Sequence, residues 1–353
     1  MATPSLPARG LIALLICPYT LPDESDIDPA YGDLSDASGN NILQMEGLTL
    51  LSMNTSINGA GRVQMDAAVA GPLFMLASAL LYTLLTLQVK LLGPAYSTWD
   101  IGFYRFAGGI LVLVAVFGRH RNPFQGHNTR LLLIRGGTGS LAFICMVTAI
   151  QRLPISTALV IFYSFPAFAA VFSYFIYGEQ VGRLEIACIL GVLAGVGVLF
   201  DFQPGGDPFG QVMALLGGVF AGLTVTLIRT LREKNGPVII YLYLCTMGFF
   251  VTAPMFALQP TLPATPLEWG LILGIVFSSV TAQLLMNQGF FYCRGWEGGV
   301  FMSSEVVFTA IVGIAFLGDP ASWRFWTGGT AVLASIVALN RLKASAVPAA
   351  TGS

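Results

Sequence analysis

The sequence predicts an all-α polytopic membrane protein, in which ten transmembrane helices form two inverted repeats of five helices. Three observations predict this fold: the composition, the recurrence of long apolar segments, and an internal similarity at one constant offset. Of the 353 residues, 55% are hydrophobic and only 10% are charged, whereas soluble domains carry about 25% charged residues. The composition therefore excludes a soluble enzyme, and its high hydrophobicity also excludes a disordered chain.

Apolar segments of 18 to 24 residues recur from Asp66 onward. Each is long enough to cross a hydrocarbon core of about 30 Å as a helix. A transmembrane β-strand would alternate polar and apolar residues, but stretches such as 158–176 are almost continuously apolar. The ten predicted helices, numbered in chain order, cover residues 70–90, 101–118, 131–150, 154–176, 184–202, 209–228, 237–257, 268–291, 298–317 and 323–340.

The pattern predicts four parts of the chain. Residues 1–65 are rich in Asp, Asn, Ser, Gly and Pro and are expected to form a poorly ordered extension. Because Met53 and Met65 both precede the first long helix, a start codon assigned too early is the alternative. Residues 66–203 are expected to form the first five-helix repeat, 204–343 the second, and 344–353 a C-terminal tail.

The formal net charge of −1 is the sum of two segments with opposite net charges. The first 65 residues contain two basic and seven acidic residues, a net charge of −5, so the remainder carries +4. A chain without an overall basic excess is not expected to bind nucleic acid. The five cysteines suggest neither a disulfide framework nor a zinc site, and we expect no metal and no cofactor.

Basic residues in the loops predict the orientation, because they favour the cytoplasmic side. With the N-terminus inside, the cytoplasmic set is Arg62, Arg119, Arg121, Arg130, Arg183, Arg229, Arg232, Lys234, Arg294, Arg341 and Lys343. The opposite side then has Lys90, Arg152 and Arg324. Both termini are therefore expected in the cytoplasm.

An offset of 140 residues reveals the internal repeat. It aligns 192–199 with 332–339, and the same offset pairs Ser164 with Ser304 without a gap. An odd number of helices per repeat makes the second copy enter the membrane from the opposite side. Inverted repeats of this kind place a substrate site near the membrane midplane, between the two halves.

Several local sequences accompany this architecture: Phe103-Tyr104-Arg105, Pro166, Tyr177-Gly178-Glu179, the small residues from Gly191 to Gly197, and Leu317-Gly318-Asp319. In these residues and their order, about residues 67–340 resemble the drug/metabolite transporter superfamily, EamA-type branch. The resemblance implies export or exchange of small metabolites across a bacterial cytoplasmic membrane, with a central cavity lined by both halves. The chain departs from the family pattern at Val306, often a proline, and at Asp319, more often Glu.

Glu305 is the first candidate for a functional residue. It lies seven residues inside predicted helix 9, where a charged group costs roughly 2.5 to 3.5 kcal/mol on insertion scales. The functional interpretation is a cavity carboxylate that binds a cationic group of the substrate or titrates during transport. The structural alternative is a packing carboxylate that is protonated or hydrogen-bonded.

Other polar groups inside the helices are weaker candidates for binding the substrate. Arg105 could contact substrate or a gate, but its long side chain could equally extend to the membrane surface. Arg135 is expected to extend to the cytoplasmic surface, and Trp296 and Glu297 to lie at the membrane interface. The neutral candidates, each of which could instead join helices, are Tyr82, Gln88, Tyr163, Ser164, Thr224, Gln283, Asn287 and, in the sequence around Glu305, Ser304.

Small residues and one proline are expected to shape the helices. Gly191 and Gly195 form a small-residue face on predicted helix 5, matched by Ala331 and Ser335 on helix 10, which predicts close helix contact. Pro166 is expected to kink predicted helix 4 as a hinge or a fixed bend.

The residues leave three functions open. The leading one is a secondary transporter with alternating access around a midplane cavity. The second is an intramembrane enzyme acting on a lipid or an acyl donor, which would make His120 and His127 important. The third is a non-transporting sensor or channel subunit. The expected partners are a small-molecule substrate, protons and the lipid bilayer, with a homodimer left open.

Overall fold

The structure of the chain is a computed structural model that describes residues 67–118, 124–153, 155–199, 207–316 and 323–345. The expectations for the extension 1–65, for His120 in the basic loop, for Leu317-Gly318-Asp319 and for the last residues of the tail lie outside these ranges.

The described residues form twelve α-helices and no strand. In chain order they are α1 (Ala67–Leu92), α2 (Thr98–Phe117), α3 (Thr129–Arg152), α4 (Ile155–Phe162), α5 (Phe165–Tyr177), α6 (Arg183–Leu199), α7 (Pro208–Lys234), α8 (Pro237–Leu258), α9 (Pro266–Gly289), α10 (Gly295–Met302), α11 (Ser304–Phe316) and α12 (Trp323–Ser345). The all-α class is therefore confirmed.

Seven segments of the described chain are long and apolar enough to cross a membrane, judged by length and composition. They are Val69–Leu92, Thr98–Phe117, Thr129–Arg152, Ala158–Tyr177, Pro208–Lys234, Pro237–Leu258 and Pro266–Gly289. A shorter apolar helix covers Trp326–Leu339. These segments make the chain an integral membrane protein of helical type.

Local sequence explains where these helices begin and end. Ser97 caps α2 by accepting a hydrogen bond from the Asp100 backbone N–H, while Asp100 accepts one from the Ser97 backbone. Prolines open α7, α8 and α9, where a missing N–H costs nothing. Gly178 ends α5 with a left-handed backbone (φ 66°), which glycine adopts without a steric penalty.

Predicted helices 4 and 9 are each interrupted, which corrects the expectation of two continuous spans. The first break is at Tyr163 and Ser164, between α4 and α5, and the second is at Ser303, between α10 and α11. Pro166 lies in the first turn of α5, directly after the first break, and its role as a hinge or a fixed bend stays a prediction. Serine side chains bond the backbone at both breaks: Ser164 donates to the Ile161 carbonyl at 2.6 Å and Ser303 to the Gly299 carbonyl at 3.1 Å.

The helices pack in pairs that join the two halves of the chain. The most extensive contacts are α1 with α9, α2 with α8, α3 with α7, and α6 with α12, followed by α3 with α8 and α5 with α7. The first four map onto one another when the halves are exchanged. Gly191 and Gly195 lie in the contact between α6 and α12, where a Cβ added at Gly195 would meet backbone atoms of α12 at 2.9 Å.

Candidate functional site

A cavity of about 1050 Å³ lies between the helices. Ten helices, all but α6 and α12, contribute described residues to its lining. Tyr82, Arg105 and Glu305 line its interior, and Gly93 and Thr261 show that it reaches the loops after α1 and α8. Its volume is close to the upper end of the range of about 300 to 1,000 Å³ that is typical of sites for drug-sized ligands.

Glu305 lies in the first turn of α11, directly after the break at Ser303. Free backbone N–H groups and the helix dipole make this end of a helix favourable for a negative charge. The carboxylate accepts a hydrogen bond from Thr86 Oγ1 at 3.5 Å, and the Tyr163 hydroxyl lies close to it. Thr83 donates to the Glu305 backbone carbonyl at 3.3 Å. The interruption at Ser303 thus places this carboxylate at the N-terminal end of a helix.

Arg105 is buried beside the cavity, with only 5% of its surface exposed. Its guanidinium carbon lies 4.1 Å from the centre of the Phe143 ring, a distance typical of a cation–π contact. The Tyr82 hydroxyl also lies close to this guanidinium. The guanidinium therefore does not extend to the membrane surface, which was the alternative left open by the sequence.

Arg105 and Glu305 line the same cavity without forming an ion pair. Within the described ranges the ion pairs are Arg152–Asp207, Arg229–Glu179 and Arg294–Glu297. The Nε of Arg105 has no hydrogen-bond partner among the described residues. The cavity lining therefore contains a guanidinium group and a carboxyl group that do not form an ion pair with each other.

A chain of hydrogen bonds leads from the cavity toward the end of the bundle opposite the loops after α1 and α8, which is its closed end. The Tyr82 hydroxyl donates to Gln283 Oε1 at 2.5 Å, and Gln283 Nε2 donates to Asn287 Oδ1 at 3.4 Å. Asn287 Nδ2 donates to the Pro237 carbonyl at 3.1 Å. Asn287 is fully buried and does not line the cavity, so it is placed to support the site and not to contact a bound solute.

Arg135 corrects the expectation of a surface anchor, because its side chain is fully buried. It donates to the Ile240 carbonyl at 3.3 Å and to Asn287 Oδ1 at 3.2 Å. The physical reason is packing: α3 lies against α7 and α8, which cover this face of the helix. Distance from a helix end, which was the basis of the expectation, does not reveal which face a neighbour covers.

Polar contacts continue beyond Asn287 at the end of the molecule opposite the cavity loops. Arg232 donates to Gln288 Oε1 and to the Asn235 carbonyl, each at 2.7 Å. Asn235 in turn donates to the His127 carbonyl at 3.1 Å. These bonds join α7, α9 and the segment before α3, and they close this end of the cavity.

The remaining predicted residues take different positions. Tyr163 lines the cavity, whereas Ser304 is fully buried outside its lining, with no hydrogen-bond partner for its hydroxyl among the described residues. Trp296 and Glu297 are also buried, which corrects their expected place at the lipid interface. Neighbouring helices cover them, since α10 packs on α5, α7 and α1.

Two residues of the site were not singled out as candidates from the sequence. Thr86, which bonds Glu305, lies one turn after Tyr82 and therefore on the same helix face; that spacing was an available signal. Phe143, beneath Arg105, is an aromatic residue within an apolar helix, and no feature of the sequence distinguishes it.

Comparisons with known proteins agree with this architecture. A model of the EamA-like transporter family matches residues 69–200 and again 208–341. The pseudopaline exporter CntI of Pseudomonas aeruginosa is 25% identical over 289 residues, which cover 79% of this chain and 99% of the relative. Human solute carrier family 35 member G1 is 22% identical over 287 residues, 76% of this chain and 77% of the relative. One solved crystal structure superposes with a TM-score of 0.67 at 18% identity, covering 79% of this chain and 99% of that one.

Proposed function

Because the chain belongs to the EamA-like transporter family, and is therefore a membrane transporter of a small solute and not an enzyme, we propose that it works by alternating access around the cavity of Glu305 and Arg105. The proposed direction is export or exchange across a bacterial cytoplasmic membrane. A relative named as an exporter, matched over 99% of its length, supports this direction.

The transmembrane part consists, in this proposal, of ten crossings in two inverted repeats, residues 66–203 and 204–343. The interrupted pairs α4–α5 and α10–α11 each count as one crossing. Three observations support it: the family model matches once in each half, the four most extensive helix contacts map onto one another when the halves exchange, and the two breaks lie at matching positions. An offset of 140 relates Tyr163 to Ser303.

The cavity carries the proposal, because Arg105 and Glu305 line its interior and it reaches the loops at only one end of the bundle. The closed end holds the hydrogen bonds of Arg135, Arg232 and Asn235. Basic residues favour the cytoplasmic side, and Arg130, Arg232 and Lys234 belong to that closed end. We therefore assign both termini to the cytoplasm and the described conformation to the outward-facing state. Glu305 is the group through which we propose that protons couple to transport.

Counterflow in proteoliposomes tests the proposed function. Vesicles containing the purified protein are loaded with members of a panel of amino acids, dipeptides, nucleotides, sugars and cationic drugs, at two pH values. We expect at least one class of solute to exchange faster than in protein-free vesicles. Absence of counterflow for the whole panel at both pH values would contradict the proposal and favour a non-transporting sensor.

A further inference from the structure

The charges inside the cavity define the chemistry of the solute. Building on the proposed transport function, we propose that the solute is a zwitterion larger than a single amino acid. Its carboxylate binds Arg105 and its amine binds Glu305. The juxtaposition that carries this inference is one buried cation and one anion that line a single cavity from α2 and α11 without pairing with each other.

Arg105 has donor groups available to bind a carboxylate of the solute. A guanidinium remains charged at all accessible pH values and presents five N–H donors. Here Phe143 covers one face of the guanidinium, and Nε is buried without a partner among the described residues. A buried charge is costly unless it is paired. A solute carboxylate would supply the missing acceptors in the bidentate geometry that arginine favours.

Glu305 has acceptor positions available to bind an amine of the solute. A carboxylate has about four acceptor positions, and the described hydroxyl groups beside it are those of Thr86, at 3.5 Å, and Tyr163. Both are neutral donors, so the negative charge is oriented but not neutralised by them. An ammonium group offers three donors together with the opposite charge.

The other charged residues of the cavity lining do not serve this role. Lys90 is exposed, close to the loop after α1. The Asp100 carboxylate accepts hydrogen bonds from Ser97 and from Thr261, at 2.7 and 3.0 Å, and so holds the loops together. Two opposite charges therefore remain for the solute, in a space of about 1050 Å³. A single amino acid would fill only a small part of it, since sites of this size enclose drug-sized ligands.

Four forms of one dipeptide test the charge requirement. They are L-leucyl-L-phenylalanine, its N-acetylated form, its C-terminal amide and the form with both caps. Binding to the purified protein is measured by isothermal titration calorimetry at neutral pH, and counterflow is measured in parallel. We expect the uncapped zwitterion to bind at least tenfold more tightly than each singly capped form, and the doubly capped form to bind most weakly.

Variants assign each charge to its residue. Glu305→Gln should remove the preference for the free amine and keep that for the free carboxylate, whereas Arg105→Met should do the reverse. Arg105→Lys retains a positive charge and should keep a reduced preference for the carboxylate. Arg152→Gln is the matched control, because Arg152 pairs with Asp207 outside the cavity lining, and it should change neither preference.

The results separate this inference from the proposed function. If the four forms bind equally, if a capped form binds best, or if none binds, the zwitterion proposal is wrong. Zwitterion binding without any counterflow would overturn the transport function and leave the ligand chemistry intact. Counterflow of other solutes without a preference for the zwitterion would support the transport function and overturn the zwitterion proposal.

Discussion

Arg135 donates a hydrogen bond from Nη2 to Asn287 Oδ1 at 3.2 Å, and this bond joins α3 to α9 at the closed end of the cavity. Both side chains are fully buried. Neutral acceptors alone hold the guanidinium, because its described contacts are Asn287 and the Ile240 carbonyl. A buried charge satisfied only by neutral groups retains part of its desolvation cost.

Removal of the Asn287 side chain should therefore destabilise the fold. Asn287→Ala leaves a buried guanidinium with one acceptor fewer, which costs about 2 to 3 kcal/mol and should lower the thermal unfolding midpoint by several degrees. Asn287→Asp supplies a charged acceptor for Arg135 but loses the N–H donor to the Pro237 carbonyl, so it should lower the midpoint less than Asn287→Ala does. Thermal unfolding in detergent measures both. An unchanged midpoint for Asn287→Ala would show that Arg135 does not depend on this bond.

Glu305→Gln should abolish or uncouple transport without unfolding the protein. The amide oxygen can still accept the hydrogen bond from Thr86, but the charge and the titrating proton are lost. Counterflow at several pH values, together with size-exclusion profiles, measures the effect. Glu179→Gln is the control, since Glu179 pairs with Arg229 outside the cavity lining, and it should transport within twofold of the unmodified protein. Full activity of Glu305→Gln at every pH would remove the proposed role.

The helices were predictable from the sequence, but their interruptions were not. Apolar segments locate helices because hydropathy is summed along the chain, and the sum does not change when the backbone breaks. Predicted helix 4 is almost continuously apolar apart from the hydroxyl groups of Tyr163 and Ser164, where α4 ends and α5 begins. Pro166 was a signal near the first break, but Val306 stands at its counterpart, so no such signal marked the second break at Ser303.

The sequence predicted those residues of the candidate site whose charged side chains cost free energy to bury in a membrane. Glu305 and Arg105 stood out because charges inside a membrane require a compensating environment, and both line the cavity. Arg135 was misjudged, because burial of a helix face depends on which helices pack against it. Phe143 lies beneath Arg105 yet could not be selected, since an aromatic residue is ordinary within an apolar helix.

Close packing of α6 and α12 predicts that alanine at Gly195 and alanine at Gly197, two positions of the same helix, will change the stability of the protein differently. A Cβ added at Gly195 would lie 2.9 Å from the Gly328 carbonyl oxygen and from the Val332 nitrogen, both backbone atoms, whereas nothing lies within 4 Å of one added at Gly197. Gly195→Ala should therefore cost about 1 to 3 kcal/mol. Gly197→Ala should be neutral or stabilising by about 0.5 to 1 kcal/mol, because alanine favours the helix. Thermal unfolding compares the two, and equal midpoints would contradict this packing.

The assigned orientation predicts which loops a reagent can reach from outside the cell. Ala264, after α8, and Lys234, at the end of α7, are both exposed but lie at opposite ends of the bundle. Background labelling should be low, because Cys145, Cys188, Cys245 and Cys293 are buried and Cys17 can be replaced by serine. In right-side-out membrane vesicles, Ala264→Cys should react with a membrane-impermeant maleimide, and Lys234→Cys should react only after permeabilisation. Reversed labelling would place the termini outside, and equal labelling of both would contradict a single orientation.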